Sequence, residues 1–202
     1  RRVQNYHGEL KYPRVDRGFS GNLPGSLDRT FSRDTLPKEY SGAGEMDYHT
    51  PATIVRQENG SNALMLKYKN YKIEDGKPKL KGLPAAYVEN EKEAQTLTIT
   101  LEDELTGLEY DLLYTVYRDV SIITRSVKVR NTGKKTVFLE KVASLQLDFV
   151  DRDFDSICLP GAHANERHLE RSSVGYGIQK FGSIRGTSSH QMNPFLALAD
   201  RK

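Results

Sequence analysis

No run of about 18 consecutive apolar residues occurs in this 202-residue chain, so the sequence offers no membrane-spanning helix. Cysteine is nearly absent. Cys158 is the only one, so no internal disulfide can form, and this usage fits a reducing compartment. Cys158 lies in the apolar run DSICLP and reads as a small buried hydrophobe. No activating base stands near it in sequence, as a reactive thiolate would need. Charge of one sign never accumulates either. The 30 basic and 27 acidic residues are mixed along the chain to a net +3, which argues against nucleic acid or an anionic membrane as partner. The GxSxG elbow, the P-loop and GxGxxG are all missing. The chain starts RRVQNY, without an initiator Met or an apolar signal region, and stops at ALADRK, just after the strand-like run FLALA. The expectation from these ends is a segment of a longer protein.

What is present is a β pattern. Hydrophobic residues make up 37% of the chain, enough to build a core. Residues 1–52 are rich in turn formers, among them Pro13, Gly18, Gly21, Pro24, Gly25, Pro37 and Pro51, and read as a long irregular loop segment. From residue 53 the periodicity becomes two. TLTITL (96–101) sets Leu97, Ile99 and Leu101 against three threonines. LEYDLLYTVY (108–117) is a second strand. SIITRSVKVR (121–130) alternates Ile123, Val127 and Val129 with Thr124, Ser126, Lys128 and Arg130. TVFLEKVASLQLDFV (136–150) keeps Val137, Leu139, Ala143, Leu145, Leu147 and Phe149 in phase. Asn59-Gly60 predicts a hairpin turn between IVRQE and ALMLKY, and Asn131-Thr-Gly133 a second turn. No long helical stripe and no internal repeat are evident. The predicted fold is all-β: one large antiparallel β-sandwich over residues 1–202, with 1–52 as loop and 53–202 as strands.

Several clusters invite a chemical reading and resist it. Asn59-Gly60-Ser61 matches the glycosylation pattern, but the turn reading explains it better. In HANERH, His163 and His168 flank Glu166 without a metalloprotease spacing or an evident third ligand, so no metal is expected. The run ERHLER suits surface ion pairs. RGTSSHQMNPF (185–195) concentrates Ser188, Ser189, His190, Gln191 and Asn193 between a glycine turn and a Pro-Phe step. PRVDRGF (13–19) and LDRTFSRDTLP (27–37) each place an Asp-Arg pair between aromatics. Such pairs can tie down a glycine-rich loop. They can also grip vicinal sugar hydroxyls, with an aromatic face against the hexose ring. Composition leaves both readings open.

The run KYPRVDRGFSGNLPGSLDRTFSRDTLPKEYSGAGEMDYHTPA resembles the N-terminal region of family thirty-six glycoside hydrolases, the bacterial α-galactosidases. The resemblance continues through VRQENGS, KGLPAAYVE, LPGAHANERHLER and RGTSSHQMNPFLAL, in order and over nearly the whole chain. It implies an N-terminal β-supersandwich attached to a catalytic β/α barrel that this chain does not contain. It implies a parent enzyme that releases terminal α-linked galactose from melibiose- and raffinose-type sugars with retention, using two barrel aspartates as nucleophile and acid/base. Retention sets such carboxyl groups about 5 Å apart. The chain itself would then hold no catalytic residue, bind no cofactor or metal, and wall the galactose pocket of a bacterial, cytoplasmic homotetramer.

The residues that match the family's pocket loops are Asp16 and Arg29, expected to bind substrate. Arg17, Phe19, Asp28, Tyr48 and His49 are expected at the pocket rim. RGTSSHQMNPF falls inside the sandwich by this resemblance, so its polar side chains are expected to brace loops rather than perform chemistry. His49 and His163 depart from the family pattern, which favours Arg and Trp there. Two alternatives stay open: a free-standing carbohydrate-binding or assembly module, and a domain of a galactosyl transferase of the same family.

Overall fold

The computed structural model describes residues 37–44, 50–82, 85–149, 153–175, 177–186 and 189–201. These fall into two compact units, one ending at Asp148 and the other beginning at Phe149. Regular structure among them is β, apart from one short 3-10 turn at Glu91–Glu93.

The first unit holds two antiparallel sheets. β1 (Thr53–Gln57) pairs with β6 (Val137–Val142), and β2 (Lys67–Asp75), β3 (Ala94–Asp103), β4 (Leu108–Tyr117) and β5 (Ile123–Asn131) follow one another in a four-stranded meander. Strand register explains why this meander has two unlike faces. Side chains alternate across a strand, and the pairings Ile99↔Leu112 and Leu112↔Val127 put apolar residues on one face. The next rung, Thr100↔Asp111↔Lys128, lies on the other. The apolar face closes the core: Leu101, Leu108, Tyr110 and Leu112 cluster with Tyr40, Ala52, Val55 and Leu64. Burying each large member contributes roughly 1.5–3 kcal/mol.

Period two locates β3, β4 and β5, but three expectations fail in detail. The first concerns Thr96 and Thr98 on the threonine face of β3, which are buried rather than wet. Thr96 is fully buried, and its hydroxyl donates to Gly76 O and meets Thr115 Oγ1 at 2.8 Å. Satisfied hydroxyls lose little by burial. The second concerns the turns. Asn59-Gly60 does turn, with Gly60 at φ +83°, yet β1 pairs with β6 and residues 62–66 form no strand. Asn131-Thr-Gly133 turns as expected, with Gly133 N donating to Asn131 Oδ1 at 2.9 Å, and it joins strands of different sheets. The third concerns the long run that starts at Thr136. Strand β6 stops at Val142, and the alternation beyond it serves side-chain bonds: Gln146 and Asp148 accept from Ser41 N and Lys38 N at 2.8 and 2.6 Å. Leu145 and Leu147 are left exposed.

The second unit carries one three-stranded antiparallel sheet in the order β8-β7-β9. β7 (Phe154–Pro160) is central, between β8 (Glu170–Ser173) and β9 (Met192–Asp200). Cys158, on β7, is a buried free thiol, as its apolar neighbours suggest. Asp155 ties the sheet laterally: its two carboxylate oxygens accept from Arg201 Nε and Arg171 Nε, both at 2.7 Å. Those donated bonds, Arg201's first, hold the carboxyl below its usual range.

Candidate functional site

The residues that the sequence singles out for sugar binding, Asp16, Arg17, Phe19, Asp28, Arg29, Tyr48 and His49, lie outside the described residues. What is described is the base of the segment that carries them, and it is firmly held. Ser41 O accepts from Ala52 N at 2.9 Å, and Ala43 O accepts from Leu64 N at 3.0 Å. Ser41 Oγ donates to Gln146 Oε1 at 3.0 Å. Gly42 has no room for a side chain, since a Cβ would stand 2.4 Å from Leu64 O. Tyr40 is buried, its ring 5.8 Å from that of Tyr110, and its hydroxyl donates to Ala143 O at 2.6 Å. Burial, with Tyr110 beside it, pushes the Tyr40 phenol up to about 12. The glycines and prolines of this region therefore serve a pinned backbone at its described end, not a slack one.

Beside Tyr40 stands a cation that the periodicity reading passed over. Arg125 occupies an apolar-face position on β5, between Ile123 and Val127. Its guanidinium stacks on Tyr114 at 4.1 Å and reaches toward the Tyr40 ring at 6.0 Å. Nη1 donates to Ser126 O at 2.8 Å. Nε and Nη2 are buried and meet no acceptor among the described residues, and the same holds for the Tyr114 hydroxyl. Burial draws the Arg125 pKa down, opposed by Glu39 and Tyr40; a guanidinium nevertheless stays charged at any ordinary pH. Two open, parallel donors on a rigid stack suit a carboxylate or a pair of hydroxyls. An arginine in phase with Ile123 and Val127 was the available signal.

The RGTSSHQMNPF stretch is well organised where it is described. Met192 N donates to Ser189 O, and Gln191 O accepts from Gly161 N at 3.0 Å, tying this turn to the one at 161–165. Arg185 Nε donates to Gln191 Oε1 at 2.9 Å. The His190 ring meets His163 edge-on, with centroids 5.6 Å apart. Ser188 lies outside the described residues, and the Ser189 hydroxyl is buried without a partner among them. The Gly161–Gln191 backbone bond and the His163–His190 contact brace two turns against each other. Glu166 accepts from Ala164 N at 3.0 Å, closing its own turn. Among the described residues no three His, Cys, Asp or Glu side chains gather to hold a metal.

The polar face of the four-stranded sheet carries a ladder of charges that sequence reading did not assemble. Lys69 pairs with Glu102 and Glu109 at 2.7 and 2.6 Å. Glu109 also accepts from Arg130 Nη2 at 2.9 Å, and Arg130 pairs in turn with Asp111. The bonds from Lys69 and Arg130 hold the Glu109 carboxyl low. Burial alone would raise Asp111, but bonds from Arg130 and Thr100 outweigh it and leave that carboxyl low as well. Next to this ladder a cleft of about 530 Å³ opens between the sheet and the loop before the 3-10 turn.

Comparison with known proteins places this geometry in a family. The model described as the glycosyl hydrolase family 36 N-terminal domain matches residues 2–202. Alpha-galactosidase 1 of Pediococcus pentosaceus is 71% identical over 198 residues, which cover 98% of this chain and 27% of that relative. Alpha-galactosidase AgaA of Geobacillus stearothermophilus is 48% identical over 196 residues, 97% of this chain and 27% of its own length. Its crystal structure superposes with a TM-score of 0.87, covering 96% of this chain and 27% of that one. An AgaA variant in complex with raffinose gives a TM-score of 0.88 at 47% identity, over the same shares of the two chains. The chain thus spans about a quarter of the length of these relatives.

Proposed function

This chain belongs to the glycosyl hydrolase family 36 N-terminal domain family, and from that premise we propose that it is the non-catalytic N-terminal domain of an α-galactosidase. The observation that carries the proposal is the 71% identity with an α-galactosidase over 98% of the chain. The parent enzyme hydrolyses terminal α-linked galactose from raffinose- and melibiose-type sugars. Its nucleophile and acid/base belong to a barrel domain, and retention there needs two carboxyl groups about 5 Å apart. The present domain walls the galactose pocket with Asp16 and Arg29. Arg17, Phe19, Asp28, Tyr48 and His49 shape its rim.

A carboxylate and a guanidinium can each take two neighbouring hydroxyls at once, which fixes the orientation of a terminal hexose. The pinned base at residues 40–44 supports this reading, because a pocket wall has to hold its side chains within a fraction of an ångström. The parent enzyme works in the bacterial cytoplasm as a homotetramer. Assay of the parent enzyme on p-nitrophenyl α- and β-galactosides tests the reaction. Turnover of the α anomer alone is expected; turnover of neither would refute it. Sedimentation of the same preparation tests the tetramer.

A further inference from the structure

The meander of the first unit has two unlike edges, β2 and β5. On β5, Arg125 takes an inward position on the apolar face, stacked on Tyr114. An inward charge is a common guard of a sheet edge. On β2 the same face carries no charge from Tyr68 to Ile73. No strand among the described residues lies beyond β2, so alternate N–H and C=O groups along it point outward without a strand partner. Its register with β3 slips between Tyr68 and Asn70 and runs evenly from Asn70↔Thr100 to Asp75↔Gln95. The slip sets Tyr68, Tyr71 and Ile73 on one face with Leu101, Ile99 and Leu97. Those three β2 side chains are 61%, 61% and 58% exposed. The apolar face of the sheet therefore continues past β3 and reaches water at an open edge, the pattern of a pairing site rather than of scattered surface residues.

The lysines of β2 do not shield the edge either. Lys69 lies in the bulge and is drawn onto Glu102 and Glu109. Lys72 is bonded to Glu74 at 2.8 Å, two residues along the same face. This order of charge makes the strand complementary to itself when reversed. About a two-fold axis at Ile73, Lys72 of each copy faces Glu74 of the other, Tyr71 faces Asp75, and the two Ile73 side chains meet. All of these residues lie in the evenly paired stretch. Neighbouring registers fail. An axis at Lys72 opposes two ammonium groups, one at Glu74 opposes two carboxylates, and one at Tyr71 sets Ile73 against Lys69 in the bulge.

We propose that β2 is the docking edge for a second copy of this chain, the two β2 strands pairing antiparallel about a two-fold axis at Ile73. The contact joins two four-stranded meanders into one continuous sheet. It is isologous and closes at two copies, while Arg125 keeps the β5 edge from extending the sheet further. It names one contact of the assembly proposed above, holds for a dimer as for a tetramer, and is independent of the galactose pocket.

The test is disulfide trapping in the parent enzyme. Ile73→Cys is oxidised with copper phenanthroline beside the unsubstituted parent and beside Leu105→Cys, which lies on the exposed turn between β3 and β4. Facing residues of an antiparallel pair have Cα atoms about 4.5–5.5 Å apart, within disulfide reach. Ile73 and Leu105 are exposed, so these variants should keep the fold, which circular dichroism checks. The expected result is a covalent dimer of Ile73→Cys that forms about tenfold faster, or more, than any from Leu105→Cys. Adding Lys72→Glu or Glu74→Lys to Ile73→Cys should slow trapping about tenfold, and adding both should restore it, because the exchange again sets opposite charges across the axis. Trapping no faster than in Leu105→Cys, or charge variants without effect, overturns the proposal. So does an Ile73→Cys thiol that a maleimide cannot reach and oxidation does not trap, which would show another strand of the parent covering β2. Galactoside turnover is read separately, so either reading can fail without the other.

Discussion

Thr53 Oγ1 and the Tyr110 hydroxyl lie 2.9 Å apart, both side chains fully buried, one on β1 and the other on β4. This bond links the two sheets of the first unit through their shared core. The Thr53 hydroxyl also donates to Lys141 O at 3.1 Å, so the Tyr110 proton points at Thr53. The two partners are therefore not equivalent. Tyr110→Phe leaves Thr53 with Lys141 and should cost about 1 kcal/mol, whereas Thr53→Val strands a buried phenol and should cost about 1–3 kcal/mol. Urea unfolding of the two single variants and the double variant measures this. The double variant should cost less than the sum of the singles.

A second prediction concerns glycine. Gly107 adopts φ +73°, and a Cβ there would stand 2.6 Å from Gly133 Cα. Gly60 adopts φ +83°, and a Cβ there would meet nothing within 4 Å. Both carry left-handed strain when replaced, about 1 kcal/mol each. Only Gly107→Ala adds a backbone collision, which has to move the turn between β5 and β6. Its melting temperature should fall clearly below that of Gly60→Ala, and equal losses would show that the turn yields freely.

The charge ladder gives a pH dependence of definite sign. Glu109 and Asp111 have folded-state pKa values below their ordinary 4.5 and 3.8. A depressed carboxyl releases its proton more readily in the folded state, so its stabilisation is present above the ordinary value and is lost as pH falls through the folded one. The loss belongs below about pH 4. Thermal unfolding from pH 6 to pH 2.5 should show a steep decline there, and Arg130→Gln should flatten it, because that side chain bonds both carboxylates. An unchanged slope in the variant would remove the ladder from the account.

The parts of the fold legible in the sequence are those where alternation and burial agree. β3, β4 and β5 are internal or adjacent strands with one face in a core, so period two survives in their composition. β2 is an edge strand, exposed throughout, and its register shifts between Tyr68 and Asn70. That bulge breaks the phase between Tyr68 and the pair Tyr71 and Ile73, so KYKNYKIED does not read as a strand. β8 is four polar, exposed residues held by pairing with β7, and no local signal marks it. The run after Val142 misleads for the opposite reason: its alternation is real, but Gln146 and Asp148 hold the chain while the leucines face out. Arg125 and the ladder at Arg130 depend on which strands become neighbours, and periodicity within one strand carries no such information. Resemblance alone marks Asp16 and Arg29, since composition leaves a salt bridge and a sugar contact equally open.

The central claim is that this domain contributes directly to the galactose pocket, and kinetics of the parent enzyme with Arg29→Ala on an aryl α-galactoside test it most directly. Loss of one good polar contact to the sugar should cost about 1–3 kcal/mol of transition-state binding. The account predicts a fall in kcat/KM of about tenfold to a hundredfold, with the unfolding transition of the protein unchanged. A variant as active as its parent would contradict the account and leave this domain a structural support alone.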